Sequence, residues 1–536
     1  MLHMKKPSTL AGTLANLNRR DWGRLALGMA LAPWSLSAQQ ALGFSADAQR
    51  PLRWQNDPFA LGVASGQPRG DSVVLWTRLL VQDADAAFNG QAVPVLCEVF
   101  ADEALRKRVG QWTTMTSAQR AMSVHVEAKG LLPARHYWYR FTCGSATSPV
   151  GRTRTTPAAQ DKVAQLRMAL ASCQHFEQGY FTAHRDIAQQ DLDLVLFVGD
   201  YIYESSNPRY IVRPHQGALP QTLDEYRARH AQYKGDADLR ASHAAHPWVM
   251  TWDDHEVVND YANDRDTKYT DPQVFLRRRA AAYQAYFEHM PVLVGPDAAN
   301  PANMRIHDRM AWGQLADIWT LDNRQYRSYH ACPDPLKGGG RVVMGCKELA
   351  DPQRSMLGMD QERWLTQGLN TSQAAWKIVA QGTQMSSTGL ATPMGRSAFT
   401  DGWDGYPMAR ERFLQNISDA KLQDVLVLGG DVHMNVAANL RVQPNDDKSP
   451  VLASELVTTS ITSRGMGETL AAQIRSNNPD IAHLRPDERG FTWLKITPEG
   501  VQSAFKTTAN PVQQASAFTT QAQFAVQRGI AGVVKG

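Results

Sequence analysis

The chain lacks long apolar runs and any large excess of charge. No apolar stretch approaches the roughly 20 consecutive residues of a membrane-spanning helix, so we expect no stable membrane insertion. A formal net charge of +4 over 536 residues is too small to predict nucleic acid as a dedicated partner, although it weakly suits anionic substrates. With 43% hydrophobic and 20% charged residues, the composition is typical of a globular protein, and the length predicts more than one domain.

Cysteine is also scarce, and the five cysteines form an odd number. Cys332 and Cys346 flank a loop rich in proline and glycine and could close it as a disulfide after export. Cys97 and Cys143 lie in strand-like segments, as buried thiols or as a second pair. Cys173 is then left over, at a position where a ligand would sit.

The N-terminus carries a basic region followed by a short segment of small and apolar residues. Arg19-Arg20 precedes Leu25–Ala38, and this order predicts a signal peptide of the twin-arginine type within residues 1–45. The alternative is a basic, disordered N-terminus. The signal predicts export to the periplasm or the medium, with the twin-arginine translocation machinery as a partner.

The rest of the sequence divides by its hydrophobic pattern. Residues 55–155 contain short strands separated by turns, which predict an N-terminal β-sandwich accessory domain. In residues 163–508 strands alternate with helices, which predicts an α/β catalytic domain. The tail at 509–536 is rich in Ala and Gln, and a helix laid over the body is one interpretation.

Four apolar strands each end at a potential metal ligand. A single Asp at a strand end is more often a cap or a turn residue, but four such ends predict one site at the carboxyl edge of an α/β sheet. The central stretch is Leu194–Glu204, where a buried strand ends at Gly199 and Asp200 follows. The ligand candidates at the four ends are Cys173; Asp200 with Tyr203; Asp253, Asp254 and His255; and Asp431 with His433.

These ligand types indicate two unlike metal ions. Zinc alone would favour a tetrahedral set of His and Cys. Thiolate, phenolate and imidazole are available from Cys173, Tyr203 and His433, and a phenolate suits Fe³⁺. The oxygen donors, including Asp254 and Asp431, suit Ca²⁺, Mg²⁺ or Mn²⁺, and Asp200 could bridge the two halves. Two metals about 3.5–4 Å apart support attack of a metal-bound hydroxide on phosphorus.

The same residues resemble the motifs of the PhoD-like alkaline phosphatases. This family belongs to the metallophosphoesterase superfamily and is related to the purple acid phosphatases. The resemblance covers residues from about 55 to 505 and rests on Gly199–Tyr203, Trp252–Glu256 with Asn259-Asp260, Gly430–His433, Ala171–Gln174, Gly62–Gly66, Val74–Arg78 and Leu321–Arg327. It implies a catalytic domain of two packed mixed sheets flanked by helices, preceded by an immunoglobulin- or fibronectin-III-like sandwich.

The resemblance also implies a function and a cofactor set. Family members are exported, hydrolyse phosphate esters at alkaline pH and hold Fe³⁺ with Ca²⁺; we expect one or two Ca²⁺ here, with other divalent metals as alternatives. The ligands it implies are Cys173, Asp200, Tyr203 and His433 for iron, and Asp200, Asp254 and Asp431 for calcium. We therefore expect a monomer that acts on small phosphate esters.

Further residues receive roles from the resemblance or from their positions. His255 would contact the phosphate and protonate the leaving group, with a purely structural histidine as the alternative. Asp253 and Asn259 would be calcium ligands or support the ligands. The candidates for phosphate binding are Arg324, Arg327 and Arg464, and Trp403 and Tyr406 either line the entrance or belong to a structural loop.

Two other functions stay open at this stage. The first is a phosphodiesterase or phospholipase D on the same scaffold, because the same metals would serve a diester. The second is a non-catalytic metal-binding or adhesive protein, for which the ligands would be dispensable.

Overall fold

Two large β-sheets pack face to face and bury a shared apolar core. The computed structural model describes residues 52–82, 85 and 90–536. The predicted signal peptide, including Arg19-Arg20, lies outside the described residues. Among the residues described, no helix combines the length and the apolar character needed to cross a membrane.

The first eight strands fall between residues 63 and 154. They are β1 (Val63–Gly66), β2 (Ser72–Arg78), β3 (Val93–Phe100), β4 (Arg108–Thr116), β5 (Ser123–Lys129), β6 (His136–Cys143), β7 (Ala146–Thr147) and β8 (Gly151–Arg154).

The remaining strands lie between residues 166 and 535. They are β9 (Leu166–Ala171), β10 (Leu194–Val198), β11 (Pro247–Thr251), β12 (Asp308–Trp312), β13 (Ala316–Thr320), β14 (Val342–Val343), β15 (Trp376–Ala380), β16 (Ala391–Thr392), β17 (Gly395–Arg396), β18 (Ala398–Phe399), β19 (Val425–Gly429), β20 (Asn435–Leu440), β21 (Ala453–Val457), β22 (Ile481–Arg485), β23 (Arg489–Ile496), β24 (Gly500–Thr508), β25 (Thr519–Gln527) and β26 (Val534–Lys535).

The helices of the described chain are α1 (Thr182–Gln189), α2 (Leu223–Lys234), α3 (Ala237–Ala245), α4 (Pro272–His289), α5 (Met359–Thr371), α6 (Pro407–Asp419) and α7 (Glu468–Asn477). Local sequence sets several of their starts. Thr222 and Glu225 form a capping box at α2, and Asp271 caps α4 ahead of a proline in its first turn.

Both large sheets are mixed. The first has the order β26-β25-β24-β23-β9-β10-β11-β1-β2-β5, and the second has the order β12-β13-β15-β19-β21-β20-β22. Parallel strands form the centre of each sheet, from β9 to β1 and from β13 to β21. Every residue of β10 and of β19 is buried, as the continuous apolar runs in the sequence predict for strands covered on both faces.

The N-terminal strands are not separate from the catalytic sheet. β1 pairs in parallel with β11, through Ser65 with Pro247 and Gly66 with Trp248, so the first sheet continues into β2 and β5. The other N-terminal strands, β3, β4, β6, β7 and β8, form their own sheet. The sequence predicted an accessory domain here, whereas the backbone hydrogen bonds join part of it to the catalytic region.

The interpretation of the C-terminal tail as a helix is wrong. Residues Thr519–Gln527 form β25, which pairs with β24 in the first sheet. Phe524 and Val526 are buried in the core between the two sheets, two residues apart as one face of a strand requires. The many Ala and Gln residues around them hide this alternation in the sequence.

Phe524 tests the contribution of this strand to stability. Because its ring is only 3% exposed in the shared core, we expect Phe524→Ala to lower the free energy of unfolding by about 3–5 kcal/mol. The matched control is Val534→Ala in β26, where the side chain is 59% exposed and the expected change is within about 0.5 kcal/mol. Urea or thermal unfolding measures both, and equal stability of the two variants would contradict the core position of Phe524.

Candidate active site

The four predicted strand ends meet where the edges of the two sheets adjoin. Cys173 follows β9, Asp200 follows β10 and Asp254 follows β11, all in the first sheet, whereas Asp431 follows β19 in the second. Ligand atoms of Cys173, Asp200 and His433 lie within 4.8 Å of one another. A second group, Asp200, Asp254 and His255, meets the same limit. Asp200 belongs to both groups.

The backbone at these ligands is unusual. Cys173, Asp200, Asp431 and His433 all have positive φ, at 58°, 58°, 64° and 55°. This left-handed conformation is uncommon for residues other than glycine and is found where surrounding contacts hold it in place. Two such contacts are the N–H of Cys173, which donates to the Gly199 carbonyl at 3.1 Å, and the N–H of Gln174, which donates to the Asp200 carbonyl at 3.1 Å.

Gly199 is required by the close approach of β10 to β11. Its φ is +105°, and an added Cβ would lie 2.5 Å from the Cβ of Asp253. Glu256 secures the same turn, since its carboxylate accepts the N–H groups of Asp200, Tyr201 and Asp253 at 3.2, 2.6 and 3.0 Å. The Gly-Asp pair in the sequence therefore marks the close approach of the chain after β10 to the chain after β11, as well as a candidate ligand.

The first ligand group contains a phenol between a carboxylate and an imidazole. The Tyr203 hydroxyl donates to Asp200 Oδ2 at 2.7 Å and lies 3.1 Å from His433 Nε2. His433 Nδ1 lies 2.7 Å from the Arg464 carbonyl, which can only accept, so this nitrogen is the donor. Nε2 of the neutral ring therefore keeps its lone pair on the side of Tyr203, as a metal ligand requires.

These donors need a cation to become anionic together. Burial is the largest cause that raises the pKa values of Cys173, Asp200, Tyr203 and Asp431 well above their ordinary values, and neighbouring anionic groups raise them further. A bound cation inverts this balance. Asp254 Oδ1 is buried without a hydrogen-bond partner. Both observations fit residues that hold metal ions.

His255 forms an ion pair with Glu204, a residue to which sequence reasoning gave no role. Its Nδ1 lies 2.6 Å from Glu204 Oε2, and its ring lies 4.0 Å from the Tyr203 ring between centroids. Burial alone would lower the pKa of His255, but Glu204, Asp254 and Asp200 together raise it well above the usual 6.5. Glu204 Oε1 also accepts the backbone N–H of Asn259 at 3.0 Å. The position of Glu204, four residues after Asp200, was the available signal.

Arg324 is only 1% exposed and lies beside Asp253 and Asp401. Its Nε and one terminal nitrogen bind both oxygens of Asp253, at 2.6 and 2.9 Å, and its other terminal nitrogen binds Asp401 at 2.8 Å. Asp401 also contacts Arg327 at 3.3 Å and His330 at 2.8 Å. Paired carboxylates thus occupy the guanidinium of Arg324, which favours a positioning role over the predicted contact with phosphate.

Asp401 belongs to a third group of carboxylates that the sequence did not indicate. Ligand oxygens of Asp254, Asp260 and Asp401 lie within 4.8 Å of one another. Despite burial, Arg324 and Arg327 hold the pKa of Asp401 well below its usual range. For Asp260, burial together with Asp401 and Asp254 outweighs the opposing effects of Arg324 and the Gly340 N–H and raises its pKa to about 7.

Other predicted residues take different positions. The guanidinium of Arg464 is exposed and lies 4.1 Å from the Tyr210 ring centroid, so among the predicted arginines it is the accessible one. Trp403 and Tyr406 are buried and hydrogen-bonded to Gln381 and to the Ser328 carbonyl, and Trp403 also lines a small cavity with Asp431. Cys332 and Cys346 form a disulfide bond, whereas Cys97 and Cys143 are buried free thiols.

Comparison with known proteins identifies the family. The family model described as PhoD-like phosphatase matches residues 168–505, and the model for the PhoD-like phosphatase N-terminal domain matches residues 45–157. Alkaline phosphatase D of Bacillus subtilis (strain 168) is 43% identical over 491 residues, covering 89% of this chain and 82% of that protein. The chain belongs to the PhoD-like phosphatase family. It is therefore a phosphoric ester hydrolase, as the sequence motifs predicted.

A solved structure agrees with this membership. A structure described as that of PhoD has a TM-score of 0.84 and 41% identity, and the similarity covers 90% of this chain and 93% of that one. The mixed sheets of this PhoD-like phosphatase are therefore shared with a relative. The resemblance inferred from the strand-end motifs is confirmed.

Arg324→Lys tests the positioning role in this PhoD-like phosphatase. Lysine keeps the charge but cannot bind Asp253 through two parallel hydrogen bonds. If Arg324 aligns carboxylates, metal affinity falls by about 10- to 100-fold, as for other groups that orient metal ligands, and KM changes little. Metal content after dialysis and steady-state kinetics measure the two effects. A raised KM with unchanged metal content would instead indicate contact with phosphate.

Proposed function

We propose that this PhoD-like phosphatase is an exported alkaline phosphatase with a binuclear centre of the Fe³⁺ and Ca²⁺ type. The observation that carries the proposal is the shared position of Asp200 in two adjoining groups of ligand atoms. One group offers thiol and imidazole beside the Tyr203 phenol, whereas the other offers two carboxylates and the imidazole of His255, which Glu204 holds. This difference suits a trivalent ion beside a divalent one. The Bacillus subtilis relative is itself named an alkaline phosphatase.

The residues that would hold the ions come from the two groups and from Asp431, which follows β19 and lies in neither group. Cys173, Tyr203 and His433 would hold iron, Asp254 and Asp431 would hold calcium, and Asp200 would serve both. When bound, such ions polarise phosphoryl oxygens and activate water for attack on phosphorus. The group of Asp254, Asp260 and Asp401 is a candidate for a second Ca²⁺.

His255 supplies the proton in this proposal. Glu204 holds the ring through Nδ1, which leaves Nε2 free to face the leaving group. Because neighbouring carboxylates raise its pKa, His255 keeps its proton to higher pH than a free imidazole, and as a cation it would attract phosphate and protonate the departing oxygen. Arg464, exposed beside His433, is the proposed contact for phosphate. Asp253 and Asn259 support the ligands from behind or add an oxygen to calcium.

Export and domain organisation complete the proposal. Arg19-Arg20 and the segment after it support passage by the twin-arginine route in residues 1–45. The N-terminal strands in residues 55–155 would then be an accessory sandwich for the catalytic region at 163–508. We propose that the protein acts as a monomer on small phosphate esters.

Asp200→Ala is the direct test of the proposal. Losing the residue shared by both groups should abolish hydrolysis of p-nitrophenyl phosphate while the protein stays folded by circular dichroism.

Protein purified without chelator should contain iron close to one per chain, with a visible absorption band that Tyr203→Phe removes. Full activity in Asp200→Ala, or zinc as the only metal, would refute the proposal. Preference for bis-p-nitrophenyl phosphate would instead favour a diesterase.

Glu204→Gln tests the role of His255 through pH. The Glu204 carboxylate is the strongest of the charges that raise the pKa of His255, so its removal lowers that pKa. The protonated form is then lost at lower pH, and the alkaline limb of the kcat/KM profile should move towards neutral pH.

Glu468→Gln is the control for this experiment, because Glu468 is an exposed residue that pairs with Arg475 in α7. It removes the same charge and should leave the profile in place. Identical profiles for Glu204→Gln and the wild type would exclude His255 as the titrating acid.

A further inference from the structure

A loop closed by a disulfide bond contacts two members of the third carboxylate group, Asp260 and Asp401. Cys332 and Cys346 join its two ends, and we call residues 332–346 the disulfide loop. Three consecutive glycines, Gly338 to Gly340, lie at its inner side, and the first two are buried. No role in catalysis has been assigned to this loop so far.

One half of the disulfide loop binds the segment that carries Asp260. The N–H of Gly340 donates to Asp260 Oδ2 at 2.9 Å. The N–H of Gly338 donates to the Thr267 carbonyl at 2.9 Å, and the Tyr269 hydroxyl donates to the Asp334 carbonyl. The loop therefore fixes both the Asp260 side chain and the backbone that follows it.

The other half binds the segment that carries Asp401. Arg341 and Thr400 exchange two hydrogen bonds: the Arg341 N–H donates to Thr400 Oγ1 at 3.0 Å, and the Thr400 N–H donates to the Arg341 carbonyl at 2.9 Å. Beyond them, β14 in the loop pairs with β18. Asp401 is the next residue after Thr400, so the loop also sets its place.

At two positions of the disulfide loop, only glycine leaves room for the side chains of Asp260 and Asp401. A Cβ at Gly339, whose φ is +91°, would lie 3.0 Å from Asp260 Oδ2 and 2.8 Å from Thr267 Cγ2. A Cβ at Gly340 would lie 2.5 Å from the Cβ of Asp401. Direct contact with Asp260 and Asp401 thus explains Gly339 and Gly340, while a Cβ at Gly338 would meet the Asp266 carbonyl at 2.7 Å.

The carboxylates need such a restraint because they repel one another. Asp254, Asp260 and Asp401 bring three negative groups within 4.8 Å, and Asp254 Oδ1 has no hydrogen-bond partner there. Asp260 lies on the segment after β11 of the first sheet. Asp401 lies on a different segment, between β18 and α6. Arg324 and the Asp260 N–H, which donates to Asp254 Oδ2 at 2.6 Å, offset part of this repulsion, and a tie between the two segments opposes the rest.

We propose that the disulfide loop is a positioning element that holds Asp260 and Asp401 against Asp254 and thereby sets the affinity of this group for a divalent cation. The inference rests on the proposed calcium-dependent function. It adds to that function a part of the chain outside the ligand set. The glycines position Asp260 and Asp401, and the disulfide fixes the ends of the loop that carries the glycines.

Calcium titration of the full-length protein tests this proposal. Calcium-depleted protein is titrated with CaCl₂ in a calorimeter as wild type, as Gly339→Ala and as the double variant Cys332→Ser/Cys346→Ser. In both variants we expect the affinity of the most weakly bound Ca²⁺ ion to fall by about 10- to 100-fold. This is the usual effect of losing a group that orients metal ligands.

Gly345→Ala is the matched control. Gly345 lies in the same loop with a φ of +63°, but an added Cβ meets no atom within 4 Å. It carries a backbone cost similar to that of Gly339→Ala without touching Asp260. Its calcium affinity should stay within about twofold of the wild type.

Amide hydrogen exchange of the calcium-depleted protein gives a readout that needs no metal. Residues 260–267 and 399–401 should exchange faster in Gly339→Ala and in the double variant than in Gly345→Ala. Unchanged calcium affinity and unchanged exchange in both variants would overturn the positioning role, while leaving the proposed function intact. A wild type that binds no calcium would overturn the calcium assignment and this inference together.

Discussion

The dominant constraint in this molecule is negative charge buried where the two sheets adjoin. Asp200, Asp253, Asp254 and Asp401 are each 3% exposed or less. Unpaired carboxylates in such a place would be protonated or would open the structure. Buried cations, and backbone N–H groups that donate to carboxylate oxygens, offset part of this charge. The charge that these groups do not offset fits the proposed metal ions.

Arg324 is the main internal cation in this arrangement. It joins Asp253, which follows a strand of the first sheet, to Asp401, which lies on the segment before α6. The ion pairs of Arg324 therefore connect the segment after β11 with the segment before α6. Glu204 performs a parallel task for His255 by fixing one ring nitrogen and stabilising the charged imidazole. The contacts that support the structure here are thus also the contacts that set the charge of the candidate site.

Sequence reasoning succeeded where the signal is local. Apolar strands such as β10 carry their ligands directly after them, so their assembly at one edge follows from the rules of α/β sheets. It failed where partners are far apart in the chain, as with Arg324 and Asp401, because an isolated arginine and aspartate carry no mark of their pairing. It also failed for β25, where alternating burial is hidden by Ala and Gln. Continuity of the sheet from β11 into β1 depends on backbone pairing over some 180 positions, which no local pattern encodes.

The left-handed backbone at the ligands has a consequence for sequence change. Residues such as Asp431 and His433 occupy a conformation that glycine adopts with less strain. Replacing one of them by glycine would relax the backbone while deleting a candidate metal ligand. Backbone conformation alone would therefore favour glycine at these positions, and the side chains present there oppose that preference.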